Sequence, residues 1–334
     1  MTNARTQTPR HGGDPEHAAR LYGAPADGWV DLSTGVNPWP YPVPNDIAAA
    51  FARFPTAGDL ARLDEAARRG YGVPDPVAIV PAAGSELLIR QLPRIVESTV
   101  VALAAPAYRS HGEAWRAAGH SVTDWDRRSA PPADARVLVI ANPNNPDGAT
   151  IQPSQLLTHT GESRLLVVDE AFAELDPDCS LVPNLAGRPA IVLRSFGKFF
   201  GLPGLRLGFA VGSPGLAGAL AECLGDWPVS TPAAVLAAQA LTDTDWQAQT
   251  RTRLAETASR LRDLLTVSGL PPVGGTNLFQ LIAPVDAPGL HRQLARRGVL
   301  TRLFPETGHI RIGLPGSETA WERLITALRA VDLG

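Results

Sequence analysis

Short apolar runs separated by polar, helix-patterned stretches fill the middle of the chain. Val77 to Val80, Thr99 to Ala104, Val137 to Ala141, Leu165 to Val168, Ala190 to Leu193 and Leu207 to Val211 read as strands, because each is short, rich in branched or small apolar residues, and bounded by turn signals. The βα alternation over residues 75 to 215 predicts a mostly parallel sheet flanked by helices. Helical patterning covers Asn45 to Phe54 and Asp59 to Arg69, with Gly70 and Gly72 closing the second. A longer helical region is expected from Thr231, read as an N-cap ahead of Pro232, to about Val267, with Arg251, Arg253, Arg260 and Arg262 on its solvated face. Beyond Pro271-Pro272 the pattern changes to a smaller α+β stretch, with strands beginning near Asn277, Val299 and His309. The expected organisation is an N-terminal segment (1–40), a large α/β domain (41–268) and a small C-terminal domain (269–334).

The chain has 334 residues, 44% of them hydrophobic, enough to bury a full core. Its net charge of −3, without a basic block, argues against nucleic acid or an anionic membrane as partner and favours a small molecule. Cys179 and Cys223 show neither metal-ligand spacing nor a disulfide framework, so no metal is expected and a reducing cytoplasm fits. Met1 to Pro9 reads as a disordered leader, and no run has the apolar length of a signal core or membrane helix.

Chemistry enters with one residue. Lys198 is the single lysine, and the other 29 basic residues are arginines. An arginine solvates a surface as well as a lysine does, but a guanidinium never deprotonates in a protein, whereas a desolvated amine can attack a carbonyl. Chance survival on the surface would explain an isolated lysine. This one follows a buried-looking strand and is flanked by Ser195, Gly197 and Arg206, groups suited to a phosphate ester beside an aldehyde. Pyridoxal 5′-phosphate carries both.

The stretch Ser195-x-x-Lys198 followed by Gly201-x-x-Gly204-x-Arg206-x-Gly208 resembles the lysine motif of fold-type I pyridoxal-phosphate enzymes, the aspartate aminotransferase superfamily. The resemblance implies that Lys198 forms the Schiff base and that Ser195 and Arg206 hold the cofactor phosphate. It also puts Gly84 and Ser85 at that phosphate, Tyr108 stacked on the pyridine ring, Asn145 at its 3′-oxygen, and Asp169 at its nitrogen, with His111 as a brace behind Asp169. Tyr108 otherwise reads as ordinary core. Phe172 and Phe54 stand where relatives often have tyrosines, so one donor to the 3′-oxygen and one contact between subunits of a homodimer are missing.

The pairing of His11-Gly12-Gly13 with Asp31-x-Ser33-x-x-x-Asn37-Pro38 is similar to the start of threonine-phosphate decarboxylases of the cobalamin pathway, close relatives of histidinol-phosphate aminotransferases. By that likeness the N-terminal arm folds over the active site, His11 contacts the substrate phosphate and Asn37 lines the pocket. A flexible tail explains the glycines equally well. Arg311, in Ile310-Arg311-Ile312-Gly313, matches the arginine that pairs with the substrate carboxylate, although alternation alone would put it on an outward strand face. Arg302 fits either a clamp on the substrate phosphate or a surface position.

Three functions stay open from sequence. The first is decarboxylation of L-threonine O-3-phosphate, the second amino transfer on histidinol phosphate or a similar phosphorylated amine. The third is a non-catalytic protein that holds the cofactor, against which the intact lysine and carboxylate speak.

Overall fold

A computed structural model describes residues 11–161 and 164–332, so the leader read at Met1 to Pro9 lies outside the described residues. Contacts divide the chain into two units, residues 40–248 and residues 1–39 together with 249–334. The second unit begins with α1 (Pro15–Tyr22), capped by the Asp14 side chain, and β1 (Val30–Asp31). Val30 and Asp31 pair in parallel with Val299 and Leu300, which ties the start of the chain to its end.

Residues 40–248 contain, in order, α2 (Ala57–Tyr71), β2 (Ala78–Ala82), α3 (Ser85–Gln91), β3 (Val100–Ala105), α4 (Arg109–Ala117), β4 (Ser121–Asp126), β5 (Val137–Ala141) and α5 (Pro153–Leu157). After these come β6 (Leu165–Glu170), β7 (Ala190–Ser195), α6 (Phe196–Phe199), β8 (Gly208–Gly212), α7 (Pro214–Leu224) and α8 (Thr231–Thr242). One sheet runs β2-β8-β7-β6-β5-β3-β4. β4, β3, β5, β6 and β7 pair in parallel, whereas β8 is antiparallel to both β7 and β2. β2 therefore runs with the parallel majority. The central strands are buried throughout, and Val101, Val137, Val139, Val167, Ile191 and Leu193 join Leu88, Leu92 and Trp115 in one core cluster. Burial on both faces explains why these strands read as continuous apolar runs.

Three differences from the sequence pattern have local causes. β4 is absent from the apolar reading because it is an edge strand whose described side chains are mostly exposed, Trp125 alone being buried. Asn45–Ala52 winds as a 3₁₀ helix. The region expected as one helix from Thr231 is two, α8 and α9 (Thr244–Val267), and the cap of α8 is Ser230, whose hydroxyl accepts from the Ala233 N–H at 3.3 Å. The Thr231 hydroxyl instead donates to the Arg53 carbonyl at 2.7 Å.

The division between the units falls inside α9. Trp246 at its start stacks on Phe200 and meets Tyr41 edge-on, while Arg253 and Arg260 further along lie over Trp39 and Trp321. The rest of that unit consists of β9 (Gly274–Thr276), β10 (Phe279–Ile282), α10 (Ala287–Arg296), β11 (Val299–Leu300), β12 (Arg302–Phe304), β13 (His309–Gly313) and α11 (Glu318–Arg329). β12, β13, β10 and β9 form an antiparallel sheet in that order, with Phe279, Ile282, Ile310 and Ile312 buried.

Candidate active site

Because β8 runs against its neighbours, its first residue lies at the same sheet edge as the last residues of β2 and β7: Gly208 registers with Ala82 on one side and Ser195 on the other. The carboxyl ends of β3, β5 and β6 open at this edge too, which is where open α/β sheets bind their ligands. The eight cofactor-side residues named from sequence lie on or directly after these strand ends.

Three glycine-linked features build a cradle here. Gly84 follows β2 with φ +92°, a backbone state that side chains disfavour, and a Cβ on it would lie 2.6 Å from an Arg206 Nη. A Cβ on Gly208 would fall 2.5 Å from the Ser85 nitrogen and 2.8 Å from the Arg194 carbonyl, so β8 passes directly beneath the turn that opens α3. Arg206 itself has φ +54°, the one non-glycine residue with positive φ among those described, and its Nη1 donates to the Pro203 carbonyl at 3.3 Å. A non-glycine residue in this state marks a position held by its surroundings. Ser195 ends β7 and makes no cap bond to the helix it opens. A hydroxyl, a backbone turn free of side chains and an exposed guanidinium suit a phosphate group.

Next to the cradle, α6 carries Lys198, half-buried, with its Nζ 6.0 Å from the centre of the buried Phe172 ring. Asp169 is buried near the end of β6. Its Oδ1 accepts from the Ala171 N–H at 3.1 Å and its Oδ2 meets the His111 Nε2 at 2.8 Å. Tyr108 caps α4 and is half-buried. Its hydroxyl donates to Glu86 Oε2 at 3.2 Å, and burial, with Glu86 adding to it and the Ser110 hydrogen bond opposing it, holds its phenol pKa above the ordinary value. Among the asparagines after β5, Asn142 binds the Ile151 and Cys179 carbonyls and Asn144 binds the Pro106 carbonyl and Asp147. Those two amides secure the loop. Asn145, half-buried, is the third amide at this strand end.

The opposite face of the same strands holds charge that the apolar reading did not predict. Side chains alternate along a strand, so Asp169 and Ser195 face one way and Glu170 and Arg194 the other. Arg194 lies between Glu170 at 2.7 Å and Glu174 at 3.0 Å, all three buried, and Glu170 also accepts from the Ser180 hydroxyl and the Leu181 N–H, each at 2.6 Å. Burial raises the pKa of both glutamates, with Arg194 opposing it.

The four substrate-side residues belong to the other unit. His11 and Arg302 line one narrow cleft, together with Gly12, Gly13, Ser33 and His291. The Gly13 N–H donates to the Ser33 hydroxyl at 2.8 Å, fastening the glycine pair onto the end of β1. Asn37 is buried, and its Oδ1 accepts from the Trp39 N–H at 2.9 Å. Arg311 is buried rather than outward-facing. It lies 4.9 Å from the Phe279 ring centre and donates to the Ser33 carbonyl at 3.0 Å. His291 is a residue that sequence reasoning did not single out, since a histidine on an amphipathic helix gives no signal by itself. Among the described residues no cluster of His, Cys, Asp and Glu could hold a metal.

The sheet topology, with a lysine and a buried carboxylate at one edge, is that of pyridoxal-phosphate-dependent α/β enzymes with the fold-type I architecture. The family model described as aminotransferase class I and II matches residues 50–328, and the chain belongs to that family. It is 44% identical to the threonine-phosphate decarboxylase of Pseudomonas aeruginosa over 95% of this chain and 96% of that protein. It is 36% identical to the threonine-phosphate decarboxylase of a Sinorhizobium species over 97% of this chain and 98% of that protein. The fold also matches the histidinol-phosphate aminotransferase of Sinorhizobium meliloti, solved with pyridoxal 5′-phosphate, at a TM-score of 0.78 and 23% identity, covering 99% of this chain and 100% of that one.

Proposed function

We propose that this protein is a pyridoxal-phosphate-dependent decarboxylase that converts L-threonine O-3-phosphate to (R)-1-aminopropan-2-yl phosphate for cobalamin biosynthesis. The observation that carries this reading is the likeness to the Pseudomonas aeruginosa decarboxylase over nearly the whole chain. When bound, the cofactor supplies an aldehyde that takes up an amine and a ring that draws electrons from the substrate's α-carbon.

In this reading Lys198 would hold the cofactor and supply the proton that replaces the departing carboxylate at the α-carbon. Asp169 keeps a proton on the ring nitrogen, and its contact with His111 fixes the carboxylate that does so. Tyr108 would pack against the ring, Asn145 would donate to its 3′-oxygen, and Gly84, Ser85, Ser195 and Arg206 would hold its phosphate. Arg311 pairs with the substrate carboxylate, Asn37 lines the pocket, and His11 and Arg302 take the substrate's own phosphate. Arg311 would orient the substrate carboxylate for its loss as CO₂.

The proposed assembly is a homodimer. Val43, Phe51, Phe54 and Trp227 expose large apolar surface within residues 40–248, and Phe54 and Trp227 stack 4.7 Å apart with their rings still open to solvent. A second copy of the chain is the occupant that the proposal assigns to this patch. Two free cysteines support a reducing, cytoplasmic setting, and no described helix is long and apolar enough to cross a membrane.

Incubation of the cofactor-loaded protein with L-threonine O-3-phosphate tests the reaction. CO₂ and the amino alcohol phosphate are expected. Amino transfer to 2-oxoglutarate without CO₂ release would overturn the decarboxylase reading, and spectral change without turnover would mark a non-catalytic protein.

A further inference from the structure

The cleft lined by His11 and Arg302 has a buried wall residue with an unspent hydrogen-bonding group. His291, on α10, is 3% exposed. Its Nδ1 lies 2.8 Å from the hydroxyl of Thr301, itself buried, and its Nε2 is buried without a hydrogen-bond partner. Leaving a buried polar atom unpaired costs on the order of 1–3 kcal/mol, so such an atom is normally completed by a ligand or an ordered water. The neighbours of the cleft point to an anion, since Arg302 and His11 are on its wall and the backbone of Gly12 and Gly13 runs along it. Burial first, then the charges of Arg302 and Arg292, push the His291 imidazole down to about 4. The ring is accordingly neutral at pH 7, with one nitrogen protonated.

Thr301 is compatible with the tautomer that leaves Nε2 a donor. The hydroxyl group can donate to Nδ1, and the proton of the neutral ring then resides on Nε2. A neutral donor in this position discriminates in a way that Arg302 does not. It adds a directed hydrogen bond to a phosphate oxygen without adding a second fixed charge to the buried wall.

We infer that His291 is a specificity-determining residue for the phosphate of the substrate, donating from Nε2 into the cleft while Thr301 fixes its tautomer. The inference rests on the reading of the substrate as a phosphate ester and adds a residue to it.

Asparagine and glutamine separate the two ring nitrogens. An asparagine amide reaches the place of Nδ1 and leaves nothing at Nε2, whereas a glutamine amide nitrogen reaches the place of Nε2. Calorimetric titration of the cofactor-loaded protein with inorganic phosphate, with the cradle at the sheet edge already filled, reads the cleft directly. His291→Asn is expected to weaken phosphate binding at least tenfold and to raise KM for L-threonine O-3-phosphate by a similar factor with kcat changed far less, and His291→Gln to restore most of both. Thr301→Val should weaken phosphate binding several-fold and Thr301→Ser should not, which keeps the question open to test even if His291→Asn unfolds. Equal phosphate affinity in the native protein, His291→Asn and Thr301→Val would overturn the inference and leave His291 a packing residue. A protein that transaminates its substrate instead of decarboxylating it would sink the proposed reaction, yet the phosphate titration would still read the role of His291.

Discussion

At the scale of single residues, the site depends as much on missing side chains as on reactive ones. Gly208 has backbone atoms of Ser85 and Arg194 on the side where a Cβ would project, and backbone cannot swing away as the end of an arginine can. Gly208→Ala should therefore push β8 off the turn that opens α3, loosening the phosphate cradle. Cofactor affinity, followed by absorbance on dialysis, is expected to fall at least tenfold, and thermal stability by about 1–3 kcal/mol, within the range for overpacking. Unchanged cofactor retention would show that the cradle tolerates the shift. Lys198 stands out in the sequence because it is the single lysine of an arginine-rich chain, and Asp169 because it follows an apolar run; the roles given to both are proposals. The role of Gly208 was not legible, since a glycine in a strand reads the same whether it faces solvent or another backbone. His291 stayed hidden for a related reason: its partner Thr301 comes from a different element, ten residues on, and only folding brings them together.

At the scale of elements, caps show how local sequence sets boundaries. α2 opens with a capping box in which Thr56 accepts from the Asp59 N–H and Asp59 accepts from the Thr56 N–H, and Asp59 also receives Arg53 and Arg62. Bonds from Arg53 and then from the Thr56 backbone hold the Asp59 carboxyl well below the usual carboxylate range. A depressed folded-state pKa contributes stability that is complete above the unfolded value, near 4, and is lost as pH falls toward the folded value. Asp59→Asn should cost about 1 kcal/mol at pH 7, the scale of a helix cap, with the gap to the native protein narrowing below about pH 4. Chemical denaturation at pH 7 and pH 3 checks this, and a gap that widens in acid would contradict it. The stop of α2 at Gly72 in the left-handed region agrees with the glycines read from sequence. The Glu170–Arg194–Glu174 cluster could not be read that way. Glu170 and Arg194 follow apolar runs near strand ends, and only pleating shows that they turn away from the face of Asp169 and Ser195 toward Glu174 in a short 3₁₀ turn.

At the scale of the whole molecule, the βα alternation was enough to foresee a mostly parallel sheet, because continuous apolar runs require cover on both faces. The grouping of residues 1–39 with 249–334 was not foreseeable from local pattern, since it depends on a two-residue parallel pairing between distant segments. The proposed assembly has its own test. The native protein is expected to sediment at about twice its 35.3 kDa chain mass, and the double substitution Phe54→Glu with Trp227→Glu to shift it toward one chain. A native protein that sediments as a single chain would remove the second copy from the apolar patch.

The reversed direction of β8 has one more consequence. Ser195, Lys198 and Arg206 fall on a single short strap that leaves the sheet and returns to it at the same rim. Lengthening that strap would slacken the proposed nucleophile and both proposed phosphate anchors together, so residues within it can be exchanged far more readily than any can be added.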